Sequence, residues 1–205
     1  MCTLARKVER KRADKKIKCI KILQIMEDRE GNPVYSTPYM YKHIPEEVLK
    51  GEKPLTPDKP DEEEISESRV SSNYLIEGGF IHVFTHNTSQ ATINADLEYL
   101  CSDVGHWDSY LSCSNNFEKA ENLPNVDPYA KVLGIAVFAG YIPEGTEYIR
   151  GMDEGSYTEV IVAKEVYLTK CVAKFDTEHV YTDLGCVKLD KFMKKLYKEV
   201  SPDKD

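Results

Sequence analysis

Glu159 stands at the mouth of an apolar run, Ser156-Tyr157-Thr158-Glu159-Val160-Ile161-Val162, that follows a glycine turn. Side chains alternate between the faces of a strand, so Tyr157, Glu159 and Ile161 share one face and the carboxylate projects where a cleft can form. A Tyr ring to stack on a planar ligand, beside a carboxylate to accept hydrogen bonds from a diol, makes the mixed lining of a small-molecule site. The plain alternative is a solvated strand end, because charged side chains are mostly exposed. Upstream, Gly78-Gly79 introduces Phe80-Ile81-His82-Val83-Phe84-Thr85, where the same alternation sets Phe80, His82 and Phe84 on one face and Ile81, Val83 and Thr85 on the other. His82, held between two aromatics, is either a ligand-binding group or a core histidine satisfied by a backbone carbonyl. The candidate ligand-binding set is therefore His82, Thr85, Tyr157 and Glu159. It converges only if strands 80–85 and 157–162 are sheet neighbours, about 4.8 Å apart.

The commonest hydrolase and nucleotide-enzyme chemistries are excluded by the motifs the chain lacks. It has no Gly-x-Ser-x-Gly elbow, P-loop, Gly-x-Gly-x-x-Gly or His-Glu-x-x-His motif. Its six cysteines form no C-x-x-C pair and sit among apolar neighbours, as small buried hydrophobes do. Cys101, His106 and Cys113 match no closed zinc spacing and lack a fourth ligand, so no metal is expected. Tyr35, Tyr39 and Tyr41 are either a stacking edge for a ring or a packing rim.

The elements that must position these residues are strands first. Ile17–Met26 is apolar on both faces, as in a strand inside a sheet. A turn at 27–33 returns the chain as the Tyr-rich stretch 34–41, and Lys131–Ile142 is a long strand closed by the Pro143-Glu144-Gly145 turn. Thr146–Arg150, Thr158–Val162 and Val166–Cys171 are further β segments. Helical periodicity over 88–103, with Thr88 as cap, and over 187–200 adds two amphipathic helices. The expected fold is α+β, a mainly antiparallel or mixed sheet with two or three helices. The residues expected inside are Ile22, Leu23, Phe80, Leu97, Leu100, Leu133, Ile135, Val137, Ile161 and Leu168.

A chain of 205 residues, 41% hydrophobic and 30% charged, suits one domain. Its net charge of −8 is uneven: residues 1–21 hold nine Lys/Arg against Glu9 and Asp14, a local +7 that leaves −15 elsewhere. An acidic body repels phosphate backbones, so nucleic acid contact is limited to a basic N-terminal arm, residues 1–16. Residues 17–205 form the domain, interrupted at 50–73 by a flexible acidic insert rich in Pro and Ser. The longest mainly apolar run, Val132–Ile142, is eleven residues against the ~20 that span a bilayer, so no membrane span is expected. With no apolar stretch behind the basic N-terminus, the expected compartment is the cytoplasm. The oligomeric state is left open.

The turn Ile142-Pro-Glu-Gly-Thr146 followed by the strand that Tyr157 and Glu159 open resembles the last part of the mono-ADP-ribosyltransferase fold. There, a strand, a Pro-x-Gly-Thr turn and a strand opening with Glu/Gln-x-Glu form one wall of the NAD cleft. Gly79–Thr85 resembles that family's glycine-aromatic strand, which normally bears Ser-Thr-Ser, and Cys19-Ile20-Lys21-Ile22 sits where its first strand would be. The resemblance covers about a third of the chain. It implies that Glu159 holds a ribose hydroxyl and stabilises an oxocarbenium-like transition state, with Thr85 supporting the cleft and NAD as cofactor. Tyr157 replaces the first Glu/Gln, Val83-Phe84-Thr85 replaces Ser-Thr-Ser, and only Lys18 and Lys21 stand near the expected Arg or His. The chain also resembles short uncharacterised bacterial and phage proteins that pair a Gly-Gly-aromatic-Ile-His strand with an Ile-Pro-x-Gly-Thr turn, which implies no activity. Three functions follow in order. The first is a non-catalytic accessory protein that binds a nucleotide-like small molecule or a host partner protein, without a cofactor. The second is a mono-ADP-ribosyltransferase acting on a protein or nucleic acid, with Glu159 catalytic. The third is a structural or virion-associated protein.

Overall fold

The computed structural model describes residues 3–27, 30–37, 43–57, 59–67, 73–76, 78–85, 132–153 and 159–176. These form the strands β1 (Thr3–Ala5), β2 (Arg10–Arg12), β3 (Ile17–Glu27), β4 (Pro33–Ser36), β5 (Ile65–Glu67), β6 (Tyr74–Ile76), β7 (Ile81–Thr85), β8 (Val132–Ile142), β9 (Glu147–Asp153), β10 (Glu159–Ala163) and β11 (Tyr167–Asp176), with one helix, α1 (Glu46–Leu49). Every pairing among these strands is antiparallel. The α+β expectation is thereby corrected: the described architecture is an antiparallel sheet with a single turn of helix. The sequence reading undercounted strands because β1, β5 and β6 are three residues long and β2 is Arg-Lys-Arg, exposed throughout. Hydrophobic alternation needs more positions than that to register. The helices expected at 88–103 and 187–200 lie outside the described residues.

The sheet runs β11-β8-β3-β7-β10-β9-β1-β6-β5, with β2 also on β9 and β4 also on β3. β3 is the spine. One edge pairs with β8 from Ile17↔Ile142 to Met26↔Val132, and the other is divided between β7, at Cys19 and Ile20, and β4, from Gln24 onward. Its side chains are buried on both faces: Ile20, Ile22 and Met26 on one, Cys19 and Leu23 on the other. Cys19 and Leu23 join Ile81, Val83, Phe138, Ile161 and Leu168 in the main core, which Ile44, Val48 of α1 and Leu55 close from outside. Of the residues expected inside, Ile22, Leu23, Ile135, Val137, Ile161 and Leu168 are buried, whereas Phe80 and Leu133 are half-buried. Leu97 and Leu100 lie outside the described residues.

Parts of the basic arm and of the acidic insert are described. The basic arm is part of the sheet: Thr3, Leu4, Ala5 and Ala13 are buried, and β1 and β2 line one edge of β9 in succession. Ala13 grips the Pro143-Gly145 turn by two backbone bonds, donating to Thr146 O at 3.0 Å and accepting from Gly145 N at 2.7 Å. The insert is tied down where it is described. Leu55 is buried and exchanges backbone hydrogen bonds with Val166 at 2.7 and 3.0 Å, and β5 pairs with β6. Glu63 accepts from both Arg10 and Lys164, and the Lys164 ammonium lies 4.3 Å from the centroid of the Phe80 ring. This acidic strap explains the Gly78-Gly79 doublet. Gly79 has φ +78, and a Cβ there would stand 2.8 Å from Glu63 Cγ, a backbone state and a close approach that favour glycine.

Candidate functional site

β10 is clamped between β7 and β9, and its two registers decide what Glu159 can meet. Toward β9, Glu159 faces Met152 and Ile161 faces Arg150, so Arg150 is the diagonal neighbour of Glu159 on one face, within reach of a long side chain. The two form an ion pair, each side chain 37% exposed. Burial lowers the Arg150 pKa, but hydrogen bonds to Glu159 and Tyr148 outweigh it and hold the guanidinium above its ordinary value. The guanidinium also lies 5.7 Å from the centroid of the Tyr148 ring. Gly151 makes the closeness of β1 possible, because a Cβ there would meet Thr3 Cγ2 and stand 2.7 Å from Leu4 O. The result is an open cleft of about 270 Å³ lined by Leu4, Ala5, Arg6, Arg150, Gly151, Met152 and Glu159.

Toward β7, Ile161 faces Val83 and Val162 faces His82. The same register carried two residues further sets Glu159 level with Thr85, which in turn faces Cys19. Thr85 and Glu159 therefore share a face, with Thr85 buried and Glu159 half-buried. His82 is on the opposite face, the side on which Ile149 and Val162 pack with Ala5 and Ile76. Its Nε2 shares a hydrogen bond with Thr3 Oγ1, and its buried Nδ1 has no partner among the described residues. Burial of the ring, with the charge of Lys21 nearby, holds its pKa well below 6.5, so the imidazole is neutral at pH 7. Tyr157 lies outside the described residues. The four expected site residues thus divide: Thr85 and Glu159 lie together, and His82 is separated from them by the sheet.

The strand expectation missed Arg150 and Arg6. Arg150 was legible only as the end of a β segment, and its meeting with Glu159 follows from the β9–β10 register. Arg6 sits in a basic run whose composition gives no sign of its strand partner. Lys21, one of the two lysines near the position of the transferase family's Arg or His, is buried at the point where β7 parts from β3, and its Nζ donates to His82 O at 3.0 Å. Burial pushes its pKa down to about 8, and no carboxylate pairs with it among the described residues. Cys19, beside it on β3, is an inert thiol whose pKa burial raises to about 12.

Among the described residues no group of His, Cys, Asp and Glu side chains could hold a metal ion, and no helix is long and apolar enough to cross a membrane. Cys101, His106 and Cys113 lie outside them. No family model matches the chain, and neither a curated protein nor a solved structure matches it significantly.

Proposed function

We propose that the protein is a non-catalytic binding module that holds a nucleotide-like, diol-bearing small molecule in the β1–β9–β10 cleft, acting in the cytoplasm. The observation that carries this reading is the half-exposed Glu159 carboxylate in a concave site floored by Leu4 and Met152. A carboxylate in that setting accepts hydrogen bonds from two vicinal hydroxyls, while the apolar floor takes the body of the ligand. A cleft favours a small molecule over a flat protein surface as partner. The transferase reading has less support, since Glu159 is engaged by Arg150 and His82 faces the other way. The virion reading has no residue behind it.

Calorimetric titration with adenosine and with 2′,3′-dideoxyadenosine tests the proposal. Adenosine binds, the dideoxy analogue binds at least tenfold more weakly, and Glu159→Ala removes the difference while leaving the melting temperature nearly unchanged. Equal affinity for both nucleosides, or no adenosine binding by folded protein, overturns it. Incubation with labelled NAD and a cell lysate separates the transferase, because label on any protein revives that reading.

A further inference from the structure

Two arginines and one carboxylate line the cleft among the described residues. Arg150 is half-exposed and held by Glu159. Arg6 is exposed, and among the described residues no carboxylate pairs with it. Leu4 faces Met152 across the β1–β9 ladder, and that register carried on brings Arg6 level with Arg150. The chain then leaves β9 and rejoins it three positions out of step, at Arg10↔Ile149. Both arginines therefore line one cleft with Glu159 as the single carboxylate among its described lining residues, a surplus of one positive charge there on a protein of net −8. Guanidinium forks match the paired oxygens of phosphate and carboxylate. Like charges placed together at a concave site are stabilised by an incoming anion.

We infer that Arg6 and Arg150 form the oxyanion end of this cleft and bind a phosphate or carboxylate carried by the same ligand, drawing Arg150 away from Glu159. The inference rests on the binding reading above and adds its electrostatic half. In the unliganded protein Glu159 occupies the Arg150 fork. When an oxyanion bridges Arg6 and Arg150, the Glu159 oxygen that had accepted from Arg150 turns to the diol. The two ends of the site thus fill together. A neutral diol must compete with Arg150 for Glu159, whereas an anionic one brings the replacement partner with it.

The test uses the full chain and four probes: adenosine, AMP, adenosine-5′-carboxylate and inorganic pyrophosphate, each titrated at 50 mM and 300 mM salt. AMP, the carboxylate analogue or both bind at least tenfold more tightly than adenosine at 50 mM salt. The advantage shrinks at 300 mM, as screening requires, and falls to threefold or less in Arg6→Ala and in Arg150→Met. The relative affinities of AMP and adenosine-5′-carboxylate identify which oxyanion is preferred. Arg6→Ala alters an exposed side chain, so it reads the inference even where Arg150→Met weakens the fold. Equal binding of AMP, the carboxylate analogue and adenosine by the wild type overturns the oxyanion site and leaves the diol reading standing. Pyrophosphate binding that depends on Arg6, with AMP no tighter than pyrophosphate and adenosine silent, supports the oxyanion site and removes the diol reading. An anion advantage that survives both substitutions overturns the assignment to these arginines. No binding of any probe by folded protein overturns both.

Discussion

Lys21→Met offers a quantitative test of the packing between β3 and β7. Lys21 is 8% exposed, and its ammonium donates to one backbone carbonyl and has its pKa lowered from 10.5 to about 8 by burial. Below pH 8 the amine is protonated in both folded and unfolded chains, and the full desolvation penalty opposes folding. Between pH 8 and 10.5 the unfolded chain holds the proton more tightly than the folded one, so stability rises with pH through that window. The free-energy change is about 1.4 kcal/mol per pKa unit, which gives roughly 2 kcal/mol of added stability between pH 7.5 and 9.5. Met fills a similar volume without charge and removes this dependence, but it leaves His82 O without its donor, at ~1–3 kcal/mol. Urea denaturation of wild type and variant at the two pH values reads the effect as a difference of differences, which cancels other titrating groups. The variant is therefore of similar or greater stability at pH 7.5, and the balance shifts toward wild type by about 2 kcal/mol at pH 9.5. A wild-type-minus-variant difference that stays constant across the two pH values would refute the account of Lys21 as a desolvated buried cation.

Two further outcomes follow from the same reasoning. His82 has a folded pKa well below 6.5, so stability is full above 6.5 and falls as the pH drops below it, by up to about 1.4 kcal/mol per pH unit; the extra acid sensitivity disappears in His82→Gln, and identical acid profiles would contradict a neutral native imidazole. Gly79→Ala forces a side chain onto φ +78 and against Glu63, at a cost of roughly 1–2 kcal/mol; the melting temperature falls and trypsin reaches Lys59 sooner, whereas an unchanged melt would show that the acidic strap does not press on this turn.

The long strands were legible because their apolar content is independent of context. Ile17–Met26, Lys131–Ile142 and Thr158–Val162 carry β-branched runs that become β3, β8 and β10. The basic segment was not legible, because Arg10-Lys11-Arg12 is a strand only through its partner β9, whose Glu147 pairs with Arg10 at 2.9 Å. Tertiary pairing overrides composition in such a piece. The contacts of the insert were hidden for a related reason: its prolines and acids dominate its composition, whereas the buried Leu55 and the doubly paired Glu63 take their partners from distant segments.

At the site, alternation correctly grouped Glu159 with Ile161 and His82 apart from Val83. Which group of β7 faces which of β10 is a matter of register, and nothing in either strand alone sets it. Val83↔Ile161 puts odd positions with odd, leaving His82 behind the sheet; a slip of one residue would have brought His82 round to Glu159. Arg150 escaped notice for the same reason, as its distance from Glu159 depends on how β9 and β10 pair.

The central claim is that ligand binds on the Glu159 face and not on the His82 face. Backbone and side-chain chemical shifts of the isotope-labelled full chain, followed through a titration with AMP, test it directly. The account expects saturable shifts at Leu4, Arg6, Arg150, Met152 and Glu159, with the His82 imidazole unmoved. Shifts concentrated on His82, Thr3 and Phe80, with Glu159 and Arg150 silent, would contradict it.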